Sequence, residues 1–283
     1  LPSQSIRQII LEQSKRAHVG HIGSSLSVAD IIAVLYGSVL NIQSPEDEAR
    51  DRFILSKGHA VLAVYAALYL RGWLTQKELD QYCGDGSLLG VHPESSLRGI
   101  DFSTGSLGQG LSFGVGTALA AKLKKCAYKT YVVMSDAECN EGSVWESVMF
   151  ARHHQLSSLI VILDLNAQQA FGYTKDVINL DPMTQRWQAF GWDVHEVDGH
   201  DERQLKETMN GLNAETGAPH LVIAKTVFGK GVSYMENKIK WHYWPMSDQE
   251  YYQALEEVNC GTRHSVSRDA KILESQGTGN EVH

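Results

Sequence analysis

Apolar positions recur along the chain with two periods, which predict an alternation of helices and strands. Near-helical spacing or a capping signature predicts helices in several segments: 3–19, 27–40, 60–72, one opening at Thr75-x-x-Glu78, an alanine-rich stretch ending near Lys125, 142–154, and one starting near Asp201. Short apolar runs predict strands over 53–56, 130–136, 158–166, 192–197 and 220–226. Because these strands are apolar on both faces and helices separate them, we expect an α/β fold: a doubly wound parallel sheet with helices on both faces.

The pattern has no internal repeat and no long linker, so it predicts one domain over residues 1–260. Residues 261–283 are polar and aperiodic, and we expect them to form a loosely ordered tail. A chain of 283 residues is long enough to bury a full core.

Charge and cysteine content narrow the class of protein. The formal net charge of −8 argues against a nucleic-acid-binding surface, and no apolar run is long enough to predict a membrane span. The four cysteines form no C-x-x-C pair and no metal-type cluster, which favours a reduced, cytoplasmic setting.

Two predicted strands end on polar residues that could share a cation. Asp136 ends the strand 130–136 and Asn166 ends the strand 158–166. In a doubly wound sheet, ligands collect beyond the carboxyl ends of the strands, and Mg²⁺ favours carboxylate and amide oxygens together with phosphates. The helix 142–154 starts just after Asp136, so its dipole would favour a phosphate there. The structural alternative, that Asp136 caps a helix and Asn166 shapes a turn, stays open on these residues alone.

Four histidines stand in loop-like contexts, and the first three of them lie among glycines or prolines at segment junctions instead of on apolar faces. They are His21 in GHIG, His59 in SKGHA, His92 in GVHPE and His242 in KWHYW. A single histidine in such a context is usually a solvated loop residue, but four of them beside a candidate phosphate site indicate a polar active site. Histidines inside helix or strand patterns are interpreted as structural or surface residues: His153, His154, His195 and His220.

The motifs, taken together, resemble those of the transketolase family. HVGHIGSSLSVADIIAVLY, DRFILSKGHA, GVHPE, TGSLGQG, SDAECNEGSVWE, DLNAQQAFG and VDGHD occur in the order and spacing typical of that family, over about residues 10–245. Each motif is weak alone, and the collinear set is specific. The resemblance implies the thiamine-diphosphate-binding fold and the cofactors thiamine diphosphate and Mg²⁺, with Ca²⁺ or Mn²⁺ able to replace Mg²⁺.

The resemblance also implies roles for individual residues. The metal ligands would be Asp136, Asn166 and the backbone carbonyl of Gln168. The remaining cofactor contacts would be the diphosphate ligands His59 and His242, the backbone at Ala137, and the backbone at Gly105 and Leu107 facing the aminopyrimidine ring. His21 and His92, again with His242, would line the substrate funnel, and Glu141 would link the two active sites of a dimer. The implied catalytic set is therefore His21, His59, His92, Glu141 and His242.

Two segments depart from the family pattern. The family's Gly-Asp-Gly is Ser135-Asp136-Ala137 in this chain, and an alanine is tolerable there only if its φ is negative. Asn166 is followed by Ala167 and the polar stretch 168–170, so the donor site is expected to differ from the family's.

The resemblance covers only the diphosphate-binding part of a transketolase. The pyrimidine-binding domain, which supplies the glutamate that activates the cofactor, has no counterpart in the sequence. We therefore expect a partner subunit carrying that domain, a heterotetramer of α2β2 type, and transfer of a two-carbon ketol or related acyl-anion unit from a small-molecule ketose donor. The acceptor could be a sugar or a carrier-bound group, and the sequence identifies neither substrate.

Other functions remain as alternatives. The chain could be the α-type subunit of another thiamine-diphosphate enzyme, such as a 2-oxo-acid dehydrogenase, although the loop histidines favour ketol chemistry. A deoxyxylulose-phosphate-synthase-like enzyme and a non-catalytic relative are further alternatives. Gly108-x-Gly110 before a helix superficially resembles a dinucleotide fingerprint, but Phe113 replaces the third glycine and RGIDFST is not a convincing strand.

Overall fold

A five-stranded parallel sheet forms the centre of the molecule. The computed structural model describes residues 1–213 and 217–260. The strands are β1 (Arg52–Leu55), β2 (Thr130–Ser135), β3 (Leu159–Leu165), β6 (Asp193–Asp198) and β7 (His220–Lys225), in the spatial order β1-β2-β3-β7-β6. A small antiparallel hairpin, β4 (Gln168–Gln169) with β5 (Gly172–Tyr173), follows β3. The parallel sheet of the sequence prediction is confirmed.

Helices connect the strands and cover both faces of the sheet. They are α1 (Ser3–Ala17), α2 (Ile22–Ser27), α3 (Ala29–Val34), α4 (Val61–Leu70), α5 (Gln76–Leu79), α6 (Gln109–Lys124), α7 (Gly142–His153), α8 (Thr174–Val177), α9 (Met183–Ala189), α10 (Glu202–Gly211), α11 (Lys240–Tyr243) and α12 (248–260). Short 3₁₀ turns occupy Gly58–Ala60 and Ala137–Asn140. The capping box predicted at Thr75 is present: Thr75 accepts from the backbone N–H of Glu78, and the Glu78 side chain accepts from the backbone N–H of Thr75.

Alternate residues of each strand point into two separate apolar cores. Tyr131 and Val133 of β2 pack on the side that holds α1, α3, α4 and α10. Val132 and Met134, between them in sequence, pack on the side that holds α6, α7 and α9. Because helices cover both faces of the sheet, a ligand can reach the sheet only at the ends of its strands.

One predicted helix was wrong in its bounds. The segment 27–40 is not a continuous helix: α2 begins earlier, at Ile22, the backbone breaks at Val28 (φ −94°, ψ 3°), and the last turn is a π-helix over Leu35–Val39. The reason lies in tertiary contacts, since the serines of α2 are buried and Ser27 hydrogen-bonds to a side chain of the sheet. Apolar periodicity does not register such contacts.

The apolar periodicity also missed a hairpin and four helices. It predicted neither the β4–β5 hairpin nor the helices α8, α9, α11 and α12. The predicted tail 261–283 lies outside the described residues. Within the described ranges no helix is long and apolar enough to cross a bilayer, and the four cysteines are all free.

Candidate active site

The loops that follow four strands meet at the carboxyl edge of the sheet. Lys57 follows β1, Asp136 follows β2, Asn166 follows β3 and Thr226 follows β7. The strands run parallel in register, with Ser135 beside Asp164 and Leu165 beside Lys225, so these loop residues lie next to one another. The polar residues that the sequence placed at strand tips are therefore gathered at one edge.

Asp136 is a buried carboxylate held by backbone donors. Its side chain accepts hydrogen bonds from the backbone N–H groups of Ala137 (2.9 Å) and Ala167 (2.8 Å), and the residue is 3% exposed. No charged side chain among the described residues forms an ion pair with it. Burial, together with the charge of Asp164, raises the pKa of Asp136 to about 7. A bound cation would stabilise the ionised form of this carboxylate.

Asn166 is fixed beside that carboxylate. Its amide nitrogen donates to Asp164 (3.0 Å) and contacts Ser27 (3.3 Å), while its Oδ1 accepts from the backbone N–H of Gln168 (2.9 Å). The next residue, Ala167, has φ +60°, a left-handed conformation that costs a non-glycine residue about 1–2 kcal/mol. Strain of this kind collects at functional sites, where surrounding contacts hold it in place.

The residues at these two strand tips fit a hard divalent cation. A buried carboxylate, a side-chain amide oxygen and backbone oxygens are the donor set that Mg²⁺ prefers. A bound cation would also favour the ionised form of Asp136, whose pKa is raised without it. Gln168, the third ligand implied by the resemblance, is 6% exposed and begins the β4–β5 hairpin two residues after Asn166. These residues remain candidates for holding the metal.

Ala137 and Glu141 lie on either side of the short turn that precedes α7. Ala137 opens a right-handed 3₁₀ turn, so the negative φ that an alanine needs there is present. Glu141 is the exposed N-cap of the twelve-residue helix α7. Its exposed side chain is available to a second polypeptide, as a residue linking two active sites must be.

Three of the four predicted histidines form a compact cluster. The ring centroids of His21, His59 and His242 lie 5.1–5.4 Å apart in all three pairs. The backbone N–H of His21 donates to the carbonyl of His242 (3.3 Å), and His59 is hydrogen-bonded to Ser24 (3.1 Å). The buried Nδ1 of His21 has no hydrogen-bond partner among the described residues, so its hydrogen-bonding capacity is unused.

His92 completes the cluster through a close approach to a glycine. A Cβ at Gly105 (φ +153°) would lie 2.9 Å from the ring of His92, so only glycine allows the two segments to pack this closely. A Cβ at Gly58, next to His59, would lie 2.9 Å from the backbone of Thr104, so the segment that packs against His92 also packs beside His59. The structure thus brings together all four histidines that the sequence singled out.

The environment of these rings favours their neutral forms. Burial lowers the pKa of all four histidines, and that of His242 falls to about 4 through burial and the proximity of His21 and Lys57. At neutral pH each ring can therefore both donate and accept a hydrogen bond. Such rings suit a ligand rich in hydroxyl groups.

Acid should weaken the fold partly through His242. The folded state binds the His242 proton only near pH 4, whereas the unfolded chain binds it near pH 6.5, so stability is lost as the pH falls below about 6.5. We expect His242→Gln to gain stability relative to the parent chain between pH 7 and 5. The gain is at most about 1.4 kcal/mol per pH unit, reduced by solvent screening at this half-buried ring. Denaturant unfolding of both chains at several pH values measures this difference, and a pH-independent difference would contradict it.

The glycine-rich segment 104–110 packs against the tips of β1 and β2. Thr104 donates to the carbonyl of Leu55 (2.6 Å), and the backbone N–H of Gly108 donates to Glu138 (2.9 Å). Glu138 is fully buried, and it also accepts from Ser56 and from the backbone N–H of Ser135. Glu138 was not predicted from the sequence, because nothing in its spacing distinguishes it from the acidic residues around it.

Gly105 and Leu107 both lie in this segment, and the Leu107 side chain is 37% exposed.

No strand precedes Gly108, since residues 96–105 contain none. The dinucleotide alternative, which requires a strand directly before the glycines, is therefore wrong.

The histidines interpreted as structural lie away from this edge. His195 (3.0 Å) and His220 (2.9 Å) are both hydrogen-bonded to Asp193 at the opposite, amino end of β6 and β7. His153 ends α7 and His154 follows it.

Comparisons with known proteins agree with this geometry. The family model described as "Transketolase, thiamine diphosphate binding domain" matches residues 3–270. A protein of Phocaeicola vulgatus that is named as one subunit of an apulose-4-phosphate transketolase is 40% identical over 92% of this chain and 93% of its own length. The 6-deoxy-6-sulfo-D-fructose transketolase subunit SqwG of a Clostridium species is 37% identical over 89% of this chain and 93% of its own.

Full-length transketolases match along less than half of their length. Human transketolase is 35% identical over 88% of this chain, which corresponds to 40% of the human protein. The crystal structure of transketolase from Campylobacter jejuni superposes with a TM-score of 0.85 at 29% identity, covering 91% of this chain and 42% of that one.

Proposed function

Given that this chain belongs to the transketolase family, as its thiamine-diphosphate-binding domain, we propose that it is one subunit of a two-chain enzyme that transfers a two-carbon ketol unit. In this proposal residues 1–260 form the diphosphate-binding domain. Thiamine diphosphate is held through Mg²⁺ at the strand tips, by Asp136, Asn166 and the carbonyl of Gln168.

One observation carries the proposal: the candidate cation site and the four-histidine cluster lie at the same edge of the sheet. A cation site alone fits many phosphate-binding proteins. The cluster supplies several neutral hydrogen-bonding rings within reach of one ligand, which a sugar-like substrate with adjacent hydroxyl groups requires.

The bound cofactor supplies the carbon chemistry, since it stabilises the negative charge that develops on the donor's carbonyl carbon when the adjacent C–C bond breaks. His59 and His242 would orient the diphosphate, with the backbone at Ala137, Gly105 and Leu107 completing the contacts to the cofactor. The unpartnered Nδ1 of His21 would bind or relay a proton at a substrate hydroxyl, and His92 would act on the same substrate.

The relatives' names indicate which donors to test. One relative is named for apulose 4-phosphate and another for 6-deoxy-6-sulfo-D-fructose, and both sugars carry an anionic group. We propose an anionic ketose as the donor of this enzyme too. An assay of the assembled enzyme against phosphorylated, sulfonated and uncharged ketoses tests this, and a preference for the uncharged sugars would contradict it.

His21 and His92 should act on the substrate more than on the cofactor. We expect alanine variants at either position to lower kcat by about 100-fold, because each removes a ring that positions or protonates a hydroxyl group. Their affinity for thiamine diphosphate, measured by calorimetry on the assembled enzyme, should stay close to that of the parent. His153→Ala, at the end of α7, is the matched control and should leave both quantities unchanged. An equal loss of cofactor affinity would assign both rings to the cofactor.

The α-type chain of a 2-oxo-acid dehydrogenase is the alternative within the same cofactor class. A 2-oxo acid presents a carboxylate next to its carbonyl, and a site for it needs a cation there. The described rings around His21 are neutral at physiological pH, which favours a hydroxylated substrate. Release of carbon dioxide from pyruvate by the assembled enzyme would support the alternative.

A further inference from the structure

Four polar side chains converge on one fully buried carboxylate that the sequence did not single out. Asp164 lies in β3, two residues before Asn166, and is 0% exposed. Ser27 donates to it (2.7 Å), and Thr226 and Lys57 form short contacts with it. The amide nitrogen of Asn166 donates to it at 3.0 Å. These bonds occupy both carboxylate oxygens.

The cation in this cluster is as deeply buried as the anion. Lys57, in the SKGHA segment after β1, is 1% exposed and forms an ion pair with Asp164. Removing two charges from water costs several kcal/mol each, and good geometry with additional hydrogen bonds is needed to offset that cost. A hydrophobic pair of similar size would serve the core equally well, so a buried pair at this position calls for a reason other than stability.

The hydrogen bonds of Asn166 supply that reason. An amide side chain can be rotated to exchange its oxygen and nitrogen, and only the oxygen can ligate a cation. A carboxylate accepts but does not donate, so Asp164 forces the amide nitrogen of Asn166 towards itself. The Oδ1 atom then faces the Gln168 backbone and the loop that also binds Asp136.

We propose that Asp164 is a positioning residue for the metal site, which holds the Asn166 amide with its oxygen towards the cation, and that Lys57 is the counter-ion of the buried Asp164. This proposal rests on the metal site of the proposed function. In metal sites, hydrogen-bond partners of the ligands commonly change metal affinity by about 10–100-fold when they are removed.

The test measures thiamine diphosphate binding to the assembled two-chain enzyme as a function of free Mg²⁺. In Asp164→Asn, the Mg²⁺ concentration for half-maximal binding should rise by about 10–100-fold, while binding at saturating Mg²⁺ stays near that of the parent. Ser27→Ala, which removes one contact to both Asp164 and Asn166, should give a smaller rise in the same direction. It also serves as the readout if Asp164→Asn does not fold.

The matched control is Asp101→Asn. Asp101 is another enclosed carboxylate, paired with Arg50 and bonded to the backbone N–H of Phe53 at the amino end of β1, away from the strand tips. The Asp101→Asn enzyme should be less stable than the parent and should have an unchanged Mg²⁺ requirement. An unchanged Mg²⁺ requirement in both Asp164→Asn and Ser27→Ala, or the same rise in Asp101→Asn, would overturn the positioning role.

Lys57 is tested by a double variant. Lys57→Met should lower the melting temperature, because it leaves Asp164 charged and unpaired, and adding Asp164→Asn should recover part of that loss. The double variant should keep the raised Mg²⁺ requirement. Recovery of Mg²⁺ affinity would overturn the positioning role of Asp164, and no recovery of stability would overturn the counter-ion role of Lys57. If the parent enzyme itself shows no Mg²⁺-dependent cofactor binding, the proposed function fails instead.

Discussion

Asp136→Ala is expected to abolish Mg²⁺-dependent binding of thiamine diphosphate to the assembled enzyme. The variant removes a buried strand-tip carboxylate that forms no ion pair among the described residues, so the bound metal would lose its charged protein ligand. Leaving a buried charge without its partner costs about 3–5 kcal/mol, which corresponds to a loss of at least about 100-fold in affinity. Calorimetry with thiamine diphosphate at fixed Mg²⁺ measures the effect.

Without cofactor and metal, Asp136→Ala should not destabilise the folded chain. The pKa of Asp136 is raised in the folded chain, to about 7, so the folded state holds a proton that the unfolded chain releases near pH 4. Its ionised form therefore opposes folding above pH 7, and that penalty decreases progressively as the pH falls from 7 to about 4. At pH 8 the cofactor-free Asp136→Ala chain should be at least as stable as the parent, even though it cannot bind the cofactor.

These two results separate a binding role from a structural one. If Asp136 only capped the 3₁₀ turn at Ala137, its removal would lower stability and leave cofactor affinity in place. Unchanged affinity in a folded Asp136→Ala enzyme would remove the metal assignment.

Strand tips could be predicted from the sequence because apolar runs end abruptly on a polar residue. Asp136 and Asn166 follow runs that are apolar on both faces, and parallel strands bring their carboxyl ends to a common edge. His21, His59 and His92 could be singled out because glycine and proline around them indicate junctions. Only the family resemblance implied that they share one site with His242, since these residues are far apart in the chain. The sequence did not predict that three of the rings lie about 5 Å apart.

Residues inside the apolar runs could not be recognised in this way. Asp164 sits within the strand SLIVILDLN, and Lys57 lies two residues before His59 in a segment without a distinctive spacing of charges. They matter because they contact each other although more than a hundred residues of sequence separate them. The broken helix at Val28 has the same origin, because the bond of Ser27 to Asp164 is a long-range contact. A single sequence carries no signal for such pairs.

The outer surface of α6 and α7 is suited to a second polypeptide. On these helices Phe113, Met149 and Phe150 are 37–51% exposed, although each is a large apolar side chain. A groove between the two helices contains Val115, Leu119 and Phe150. Exposed apolar patches are typical of protein interfaces.

The relatives supply the second reason to expect a partner. The two relatives named as transketolase subunits match along 93% of their length, whereas this chain corresponds to only 40% of human transketolase. By the family resemblance, the remaining part carries the pyrimidine-binding domain and the glutamate that activates the cofactor. We propose that a separate polypeptide provides it, in an α2β2 assembly whose sites are built across a twofold axis.

The purified 283-residue chain should therefore be inactive by itself and become active when that second polypeptide is added. Without a carboxylic acid facing the aminopyrimidine ring, the cofactor is not activated, and loss of such an acid costs about 10²–10⁴-fold in rate. Glu141 cannot replace it, because it caps α7 directly after the Asp136 turn, at the end of the site proposed to hold the diphosphate. The measurement is ketol transfer from an anionic ketose in the presence of Mg²⁺ and thiamine diphosphate, with the chain alone and with the partner. Adding the partner to the Asp136→Ala chain is the control, and it should give no activity, which assigns the turnover of the mixture to this chain's cofactor site. Comparable turnover by the chain alone, in a preparation that mass spectrometry shows to contain no second polypeptide, would refute the two-chain enzyme.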